Sequence, residues 1–369
     1  MSPSRSRSRR RNLQFEHQRT GGRNRRKFIL SFQDLEMRRL LSVFQVTSTG
    51  DNGGVNPAQF AGTGTFRQAI IDSNASGGSN TIGGITAAPG TGAGNLISGA
   101  SNNGVWITGG GATGDVVEGN LIGTDVSGKN PLGNYDGVEI LNGASGNTIG
   151  GLIATAGTGA GNLISGNTND GLEITGSGVS GNLVAGNLIG TNAAGTGALA
   201  NGAYGVEIDT GASGNTIGGL AATPGTGAGN VISGNAGPGV YLKSGSNVVL
   251  GNLIGTNAAG EAAIPNGLIS APIGGINGGV YLTGVGNTIG GTFAGAGNVI
   301  SGNVNQDVEI AGTGATDDLV AGNYIGLDIT GTVKLTSVGG IEVDGPNNTI
   351  GGTVAGAANV GVGVILPAT

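Results

Sequence analysis

Residues 147–191 read NTIGGLIATAGTGAGNLISGNTNDGLEITGSGVSGNLVAGNLIGT. Asn is followed by an apolar pair at Asn162, Asn182 and Asn187 and by Thr-Ile at Asn147, and an alternating Gly-Leu-Glu-Ile run lies at 171–174. The apolar stretches are too short for helices, and Gly interrupts them too often. They read as short strands joined by turns, three to a coil.

Outward from this stretch the pattern recurs. NTIGG begins at Asn80, Asn147, Asn215, Asn287 and Asn348. A first Asn position is filled at 80, 147, 182, 215, 247, 287 and 348, with Asp115 and Asp318 in the two remaining places. A second is filled at 95, 120, 162, 187, 230, 252, 298, 323 and 359. These are nine half-periods of about 33 residues inside a long period of about 67. In alternate halves Thr follows the first Asn (Thr81, Thr148, Thr216, Thr288, Thr349); in the others Val or Leu does. Asn at a fixed place suits a sharp turn, because it tolerates left-handed backbone. Stacked Asn amides can also hydrogen-bond along the axis of a stack. The expectation is a parallel β-helix of about nine rungs over residues 80–369.

Composition agrees. Of 369 residues 82 are Gly, 10% are charged and 4% aromatic, which suits a solenoid of closely approaching rungs better than one aromatic-rich core. No Cys is present, so disulfides and thiolate metal sites are excluded. The one His is His17, so no His base or ligand is available in the repeat region. Of the 16 Lys and Arg, 12 fall within residues 1–40; the remainder has only Arg67, Lys129, Lys243 and Lys334 against 19 acidic residues, about −15. Such a body repels nucleic acid and anionic lipid. No transmembrane helix is expected.

The Asn-x-Ile-x-Gly-Asn and Gly-Val-x-Ile pattern from Asn80 to Leu366 resembles the parallel β-helix repeats of the pectate-lyase-like superfamily. The resemblance implies an all-β, right-handed, single-stranded β-helix. It is poor for function, because that superfamily holds lyases, hydrolases, epimerases, adhesins and passive stalks.

Residues 1–42 form a basic segment expected to be disordered. Leu35-Glu36-Met37-Arg38-Arg39-Leu40-Leu41-Ser42 resembles the LEPR-XLL motif of large bacterial surface or exported proteins, with Met37 where the motif has Pro. That resemblance implies a secreted or cell-surface protein. Residues 43–79 resemble the lead-in that precedes such repeats; Phe66, Ala69 and Ile70 are spaced for a short helix capping the first rung. The other end, near Leu366, reads as open, so end-to-end self-association is expected there.

In Gly-Val-x-Ile the Val and Ile should face inward and x outward. Rung by rung, x is Trp106, Glu139, Glu173, Glu207, Tyr241, Tyr281, Glu309, Glu342 and Ile365. This column is the candidate ligand face. Aromatic residues can stack on sugar rings, and the adjacent Glu139, Glu173 and Glu207 offer oxygen ligands suited to Ca²⁺; no other cofactor is indicated. The competing reading is a solvated polar face that discourages sheet aggregation. No complete catalytic constellation is evident. Lys129, Lys243 and Lys334 fall in no recurring acidic cluster, and Asp318 of the Asp317-Asp318 pair occupies a turn-Asn position. The expected role is structural, adhesive or weakly carbohydrate-binding, with polysaccharide or cell-envelope partners. The alternative is a polysaccharide lyase or glycoside hydrolase of the same superfamily.

Overall fold

The computed structural model describes residues 79–366, apart from 154, 268–275, 336–337 and 362. The basic segment, the LEPR-XLL-like motif and the expected capping helix lie outside the described residues. Among those described there is no helix, and 27 strands form three nine-stranded sheets. Every strand pair is parallel, and each coil of the chain gives one strand to each sheet.

One coil shows how. Thr148–Gly150 lies in the first sheet, Leu163–Ile164 in the second and Leu172–Thr175 in the third. The next coil repeats them as Leu183–Ala185, Leu188–Ile189 and Val206–Asp209. The register stacks Leu183 on Thr148, Leu188 on Leu163 and Val206 on Leu172. Side chains alternate along each strand, so Ile149, Ile164, Leu172 and Ile174 point inward and are fully buried. Each extends a column of aliphatic side chains from neighbouring rungs, and burying one such side chain contributes about 1.5–3 kcal/mol. The fold is therefore the expected β-helix of nine rungs.

The turns between sheets bury backbone N–H groups, which need acceptors. The Asn columns supply them. Asn162 donates its backbone N–H and its Nδ2 to Asn187 Oδ1 at 3.0 and 2.9 Å; Asn187 donates Nδ2 to Asn230 Oδ1 at 3.0 Å and to the Ile149 carbonyl at 2.8 Å. The first column does the same through Asn147, Asn182 and Asn215. Asp115 and Asp318 keep the acceptor half of the role, receiving the backbone N–H of Asn80 and Asn287. A third column, not anticipated from sequence, runs through Asn134, Asn167, Asn201, Asn235, Asn266 and Asn303, with amide contacts of 2.9–3.1 Å. Gly in NTIGG is equally constrained. Gly150 has φ +87°, and an added Cβ would sit 2.0 Å from the Ala185 carbonyl oxygen.

The two-rung repeat comes from loops. On one kind of rung the chain makes an excursion between the first and second sheets, as at 151–161; on the other it does so between the second and third, as at 190–201. Successive excursions of the latter kind join directly, Ala193 N–H donating to Gly128 O at 3.0 Å and Ala258 N–H to Gly195 O at 2.8 Å. They cover the outward side of the second sheet, where Leu121, Leu163, Leu188 and Leu253 form a second apolar cluster. From Leu121–Ile122 to Val299–Ile300 both residues of the pair are thus buried, Ile inside the coil and Leu or Val beneath the loops, whereas Leu96 on the first rung is exposed. At the last rung Ile325, Ile341, Ile350 and Val364 line a hollow of about 400 Å³.

Candidate functional site: a carboxylate cluster on the third sheet

The third sheet stacks the candidate column in register. Trp106 pairs with Glu139, Glu139 with Glu173, Glu173 with Glu207, Glu207 with Tyr241, Tyr241 with Tyr281, Tyr281 with Glu309, Glu309 with Glu342 and Glu342 with Ile365. The column points away from the aliphatic interior but is not a flat solvated face. Glu207 and Tyr241 are each only 6% exposed, while Trp106, Glu139, Glu173, Tyr281, Glu309 and Glu342 are half-buried.

Two flanking columns cover it. Three residues earlier on each rung stand Asp136, Asp170 and Tyr204, in the turn that leads into the strand. Asp136 Oδ1 accepts the Asp170 N–H at 3.0 Å and Asn169 Nδ2 at 2.9 Å, and Asp170 Oδ1 accepts the Tyr204 N–H at 2.8 Å. The two Asp side chains thus continue the turn-capping used elsewhere, and both are buried. Two residues after the central column stand Asp209 and Lys243. Lys243 makes an ion pair with Glu207. Its ammonium also lies 4.8 Å from the Tyr241 ring centroid and 5.8 Å from that of Tyr204. Lys243 therefore does sit against an acidic cluster, contrary to the sequence expectation. Stacking brings it beside Glu207 from the next rung, which linear spacing does not reveal.

The electrostatics follow from this crowding. Burial pushes Asp170 up to about 9, with Glu207 and Asp136 adding like charge. Burial pushes Glu173 up to about 8, with Glu139, Asp136, Glu207 and Asp209 raising it further. Glu139 and Asp136 are raised as well, chiefly by burial, against a hydrogen bond from Asn103 to Glu139 and one from Asn169 to Asp136. Burial works against the Lys243 ammonium, but the Glu207 carboxylate outweighs it and holds Lys243 above its ordinary value. On the far side of the tyrosines, Glu309 is pushed up to about 7 by burial and by Glu342 and Asp344.

Two triads bring carboxylate oxygens within 4.8 Å of one another: Asp136, Asp170 and Glu173, then Glu173, Glu207 and Asp209. Glu173 belongs to both. Of the sequence-predicted calcium ligands, Glu173 and Glu207 fall in a triad; Glu139 lies alongside as a source of like charge. The donor set is all oxygen, which suits calcium. The raised carboxyls mark a place where added positive charge is favourable.

The tyrosines behave differently. Tyr204 and Tyr241, and Tyr241 and Tyr281, meet edge to face with centroids 5.2 Å apart. Tyr204 and Tyr241 are buried in a small apolar cluster with Ala203. Their ring faces are spent on each other and on Lys243. Only Trp106 and Tyr281 of the aromatic column keep partly open surface.

The residues missed from sequence are Asp136, Asp170, Tyr204 and Asp209. A signal existed for two of them: Asp136-Gly137-Val138-Glu139 and Asp170-Gly171-Leu172-Glu173 repeat an Asp three residues before the outward Glu.

No protein-family model and no curated protein sequence matches this chain. Two solved structures are similar to it in course. One is the Dettilon tailspike protein, at 14% identity and TM-score 0.35 over 86% of this chain; the chain spans 66% of that protein, just under two thirds. The other is an alginate lyase from Paenibacillus sp., at 14% identity and TM-score 0.25 over 73% of this chain and 82% of that one. The parallel β-helix assignment rests on the three sheets of this chain.

Proposed function

We propose that this chain is a carbohydrate-binding β-helix whose ligand lies along the third sheet, held through a calcium ion at the carboxylate cluster around Glu173. The observation that carries the reading is the pair of triads sharing Glu173, built from three successive rungs with their oxygens converging within 4.8 Å. Glu173 is the part-open member of the first triad; Asp136 and Asp170 behind it are buried. A cation held there would keep coordination positions on its outer side, where sugar hydroxyls are suitable oxygen ligands. The half-buried Trp106 and Tyr281 offer apolar contact at either end of the acidic stretch. A body of about −15 would repel acidic polysaccharides unless a cation bridges them.

Affinity electrophoresis through gels holding neutral or acidic polysaccharides tests the proposal. Retardation by at least one polysaccharide in calcium, lost in EGTA and lost in Glu173→Gln, is the expected result. Migration unaffected by every polysaccharide, or retardation indifferent to both EGTA and Glu173→Gln, would overturn it.

One observation favours a second reading. The part-open Glu173 holds a proton near neutrality beside the Glu207 and Asp209 carboxylates, and glycoside hydrolysis uses a protonated carboxyl paired with a second carboxylate. Appearance of new reducing ends in the same polysaccharides would favour it over binding alone. Location outside the cytoplasm belongs to the proposal through the motif at 35–42, and cell fractionation checks it.

A further inference from the structure

The opposite side of the charge map carries a second surface. The excursions between the first and second sheets, at 84–94, 151–161, 219–229, 291–297 and 352–358, contain no charged residue. Each one presents a large apolar side chain to solvent: Ile85, Leu152, Leu220, Phe293 and Val354 are 57–77% exposed. The loops touch one another along the axis. Thr86 N–H donates to Gly159 O at 2.9 Å and Ala221 N–H to Gly295 O at 3.1 Å, and the Leu152 side chain lies against Gly219. Because they recur on every second rung, the five side chains form a line with a spacing of about 9.6 Å, about 38 Å from end to end.

The outer face of the first sheet adjoins this line. Its exposed column alternates Thr with an aliphatic residue, as in Thr148, Leu183, Thr216 and Val248, all half-exposed and stacked in register. No residue of that column is charged. The one charged residue in the strands of this sheet is Glu118, the last residue of Val116–Glu118, half-buried and with its carboxyl raised by that burial.

We infer that this face, the first sheet with Glu118 as its single charge together with the apolar line beside it, is where two copies of the chain associate side by side. Three observations select a second copy as the occupant. The face repeats at one rung in the sheet and at two rungs in the loops, and another copy presents the same two spacings over the full length. The acidic residues of the third sheet lie on a different face of the coil, so two negatively charged chains approach here without opposing those charges. Finally, over the about 40 Å that nine rungs span, contact across a strip about 20 Å wide would bury the about 800 Å² per partner of a standard specific interface. A line of apolar groups of this extent is also beyond what isolated surface residues require.

Sedimentation and cross-linking of the full chain test the inference. The wild type should sediment as a dimer across the micromolar range. The triple variant Leu152→Lys, Leu220→Lys, Phe293→Lys should sediment as a monomer with an unchanged circular dichroism spectrum, since all three side chains are exposed. The chain has no Cys, so single cysteines can be placed freely. Thr216 lies on the fifth of nine rungs, opposite its own counterpart whether the copies run parallel or antiparallel. Thr216→Cys should therefore cross-link to itself with a short bismaleimide, and Glu173→Cys should not. A wild type that is monomeric throughout, or a dimer that survives the triple lysine variant and fails to cross-link through Thr216→Cys, would overturn the inference. A monomer that binds insoluble polysaccharide through these same side chains would also overturn it and assign the face to a glycan.

Discussion

Asp318 stands in the first Asn column, where it receives the Asn287 N–H at 2.7 Å but carries a carboxylate in place of an amide. It is 1% exposed. Its Oδ2 is buried and has no hydrogen-bond partner. At the equivalent place Asn147 donates Nδ2 to the Ala112 carbonyl and to Asn182 Oδ1, both at 3.1 Å. Burial raises the Asp318 carboxyl from 3.8 to about 6, only partly offset by hydrogen bonds from Asn287, with Asp317 adding like charge. At about 1.4 kcal/mol per factor of ten in proton affinity, the charged form costs the native state about 3 kcal/mol. The sign follows from the raised value. Below pH 4 folded and unfolded chains both hold the proton and nothing is lost. Between pH 4 and 6 only the folded chain holds it, and stability falls as pH rises. Above pH 6 the full cost is present. Asp318→Asn supplies the missing donor and removes the charge, so it should stabilise by about 3 kcal/mol at pH 8 and by little at pH 4. With an unfolding entropy of about 0.6 kcal/mol/K for a repeat region of this length, the Tm should rise by about 5 °C at pH 8. Calorimetry of both proteins at the two pH values is the assay. An equal Tm change at pH 4 and pH 8, or a loss at pH 8, would refute the reasoning.

Other perturbations separate the ladder, the turns and the acidic cluster. Asn187→Ala strands the buried Asn162 N–H and removes donors to Ile149 O and Asn230 Oδ1, so it should cost about 3–5 kcal/mol in urea unfolding, whereas Asn192→Ala in an exposed loop should cost less than about 1 kcal/mol. Gly150→Ala drives a Cβ to 2.0 Å from the Ala185 carbonyl oxygen and should abolish soluble expression; Gly146→Ala, with φ +66° and open space around it, should cost only about 1–2 kcal/mol. Lys243→Met leaves Glu207 buried without its cation and should destabilise by about 3 kcal/mol at pH 8, and Glu207→Gln in the same background should recover most of it. Because Glu173 and Asp170 are raised to about 8 and about 9, only the folded chain holds their protons above about pH 4, so stability should fall as pH rises from about 5 to 8, at up to about 1.4 kcal/mol per pH unit for each group, and Glu173→Gln should flatten that slope.

The rung was legible in the sequence because it is built from pairwise repetition. Each Asn of the first two columns needs an identical partner one coil away, so the partner appears as a repeat. The third Asn column obeys the same physics but is harder to see. Ala100 interrupts it on the first rung, and the distance from the second-sheet Ile to its Asn varies, from Ile164 to Asn167 on one rung and from Ile189 to Asn201 on the next. The outward column was legible too, because strand alternation fixes which residue of Gly-Val-x-Ile points away. What the column becomes was not. Asp136 and Asp170 are turn residues, and Lys243 meets Glu207 only after stacking, so their meeting depends on the register of three coils. The tyrosines show the limit most clearly. Sequence places Tyr241 and Tyr281 on the ligand face, but Tyr204, arriving from the turn of an adjacent rung, packs against Tyr241 and closes its ring off.

Calorimetric titration of calcium into the protein at pH 8 tests the central claim most directly, because the carboxylate cluster is either a cation site or only a strained acidic patch. Saturable binding that weakens toward pH 6 as Glu173 takes up its proton, and that Glu173→Gln removes, is the predicted result. The absence of binding heat at pH 8, or binding of equal strength in Glu173→Gln, would contradict the account.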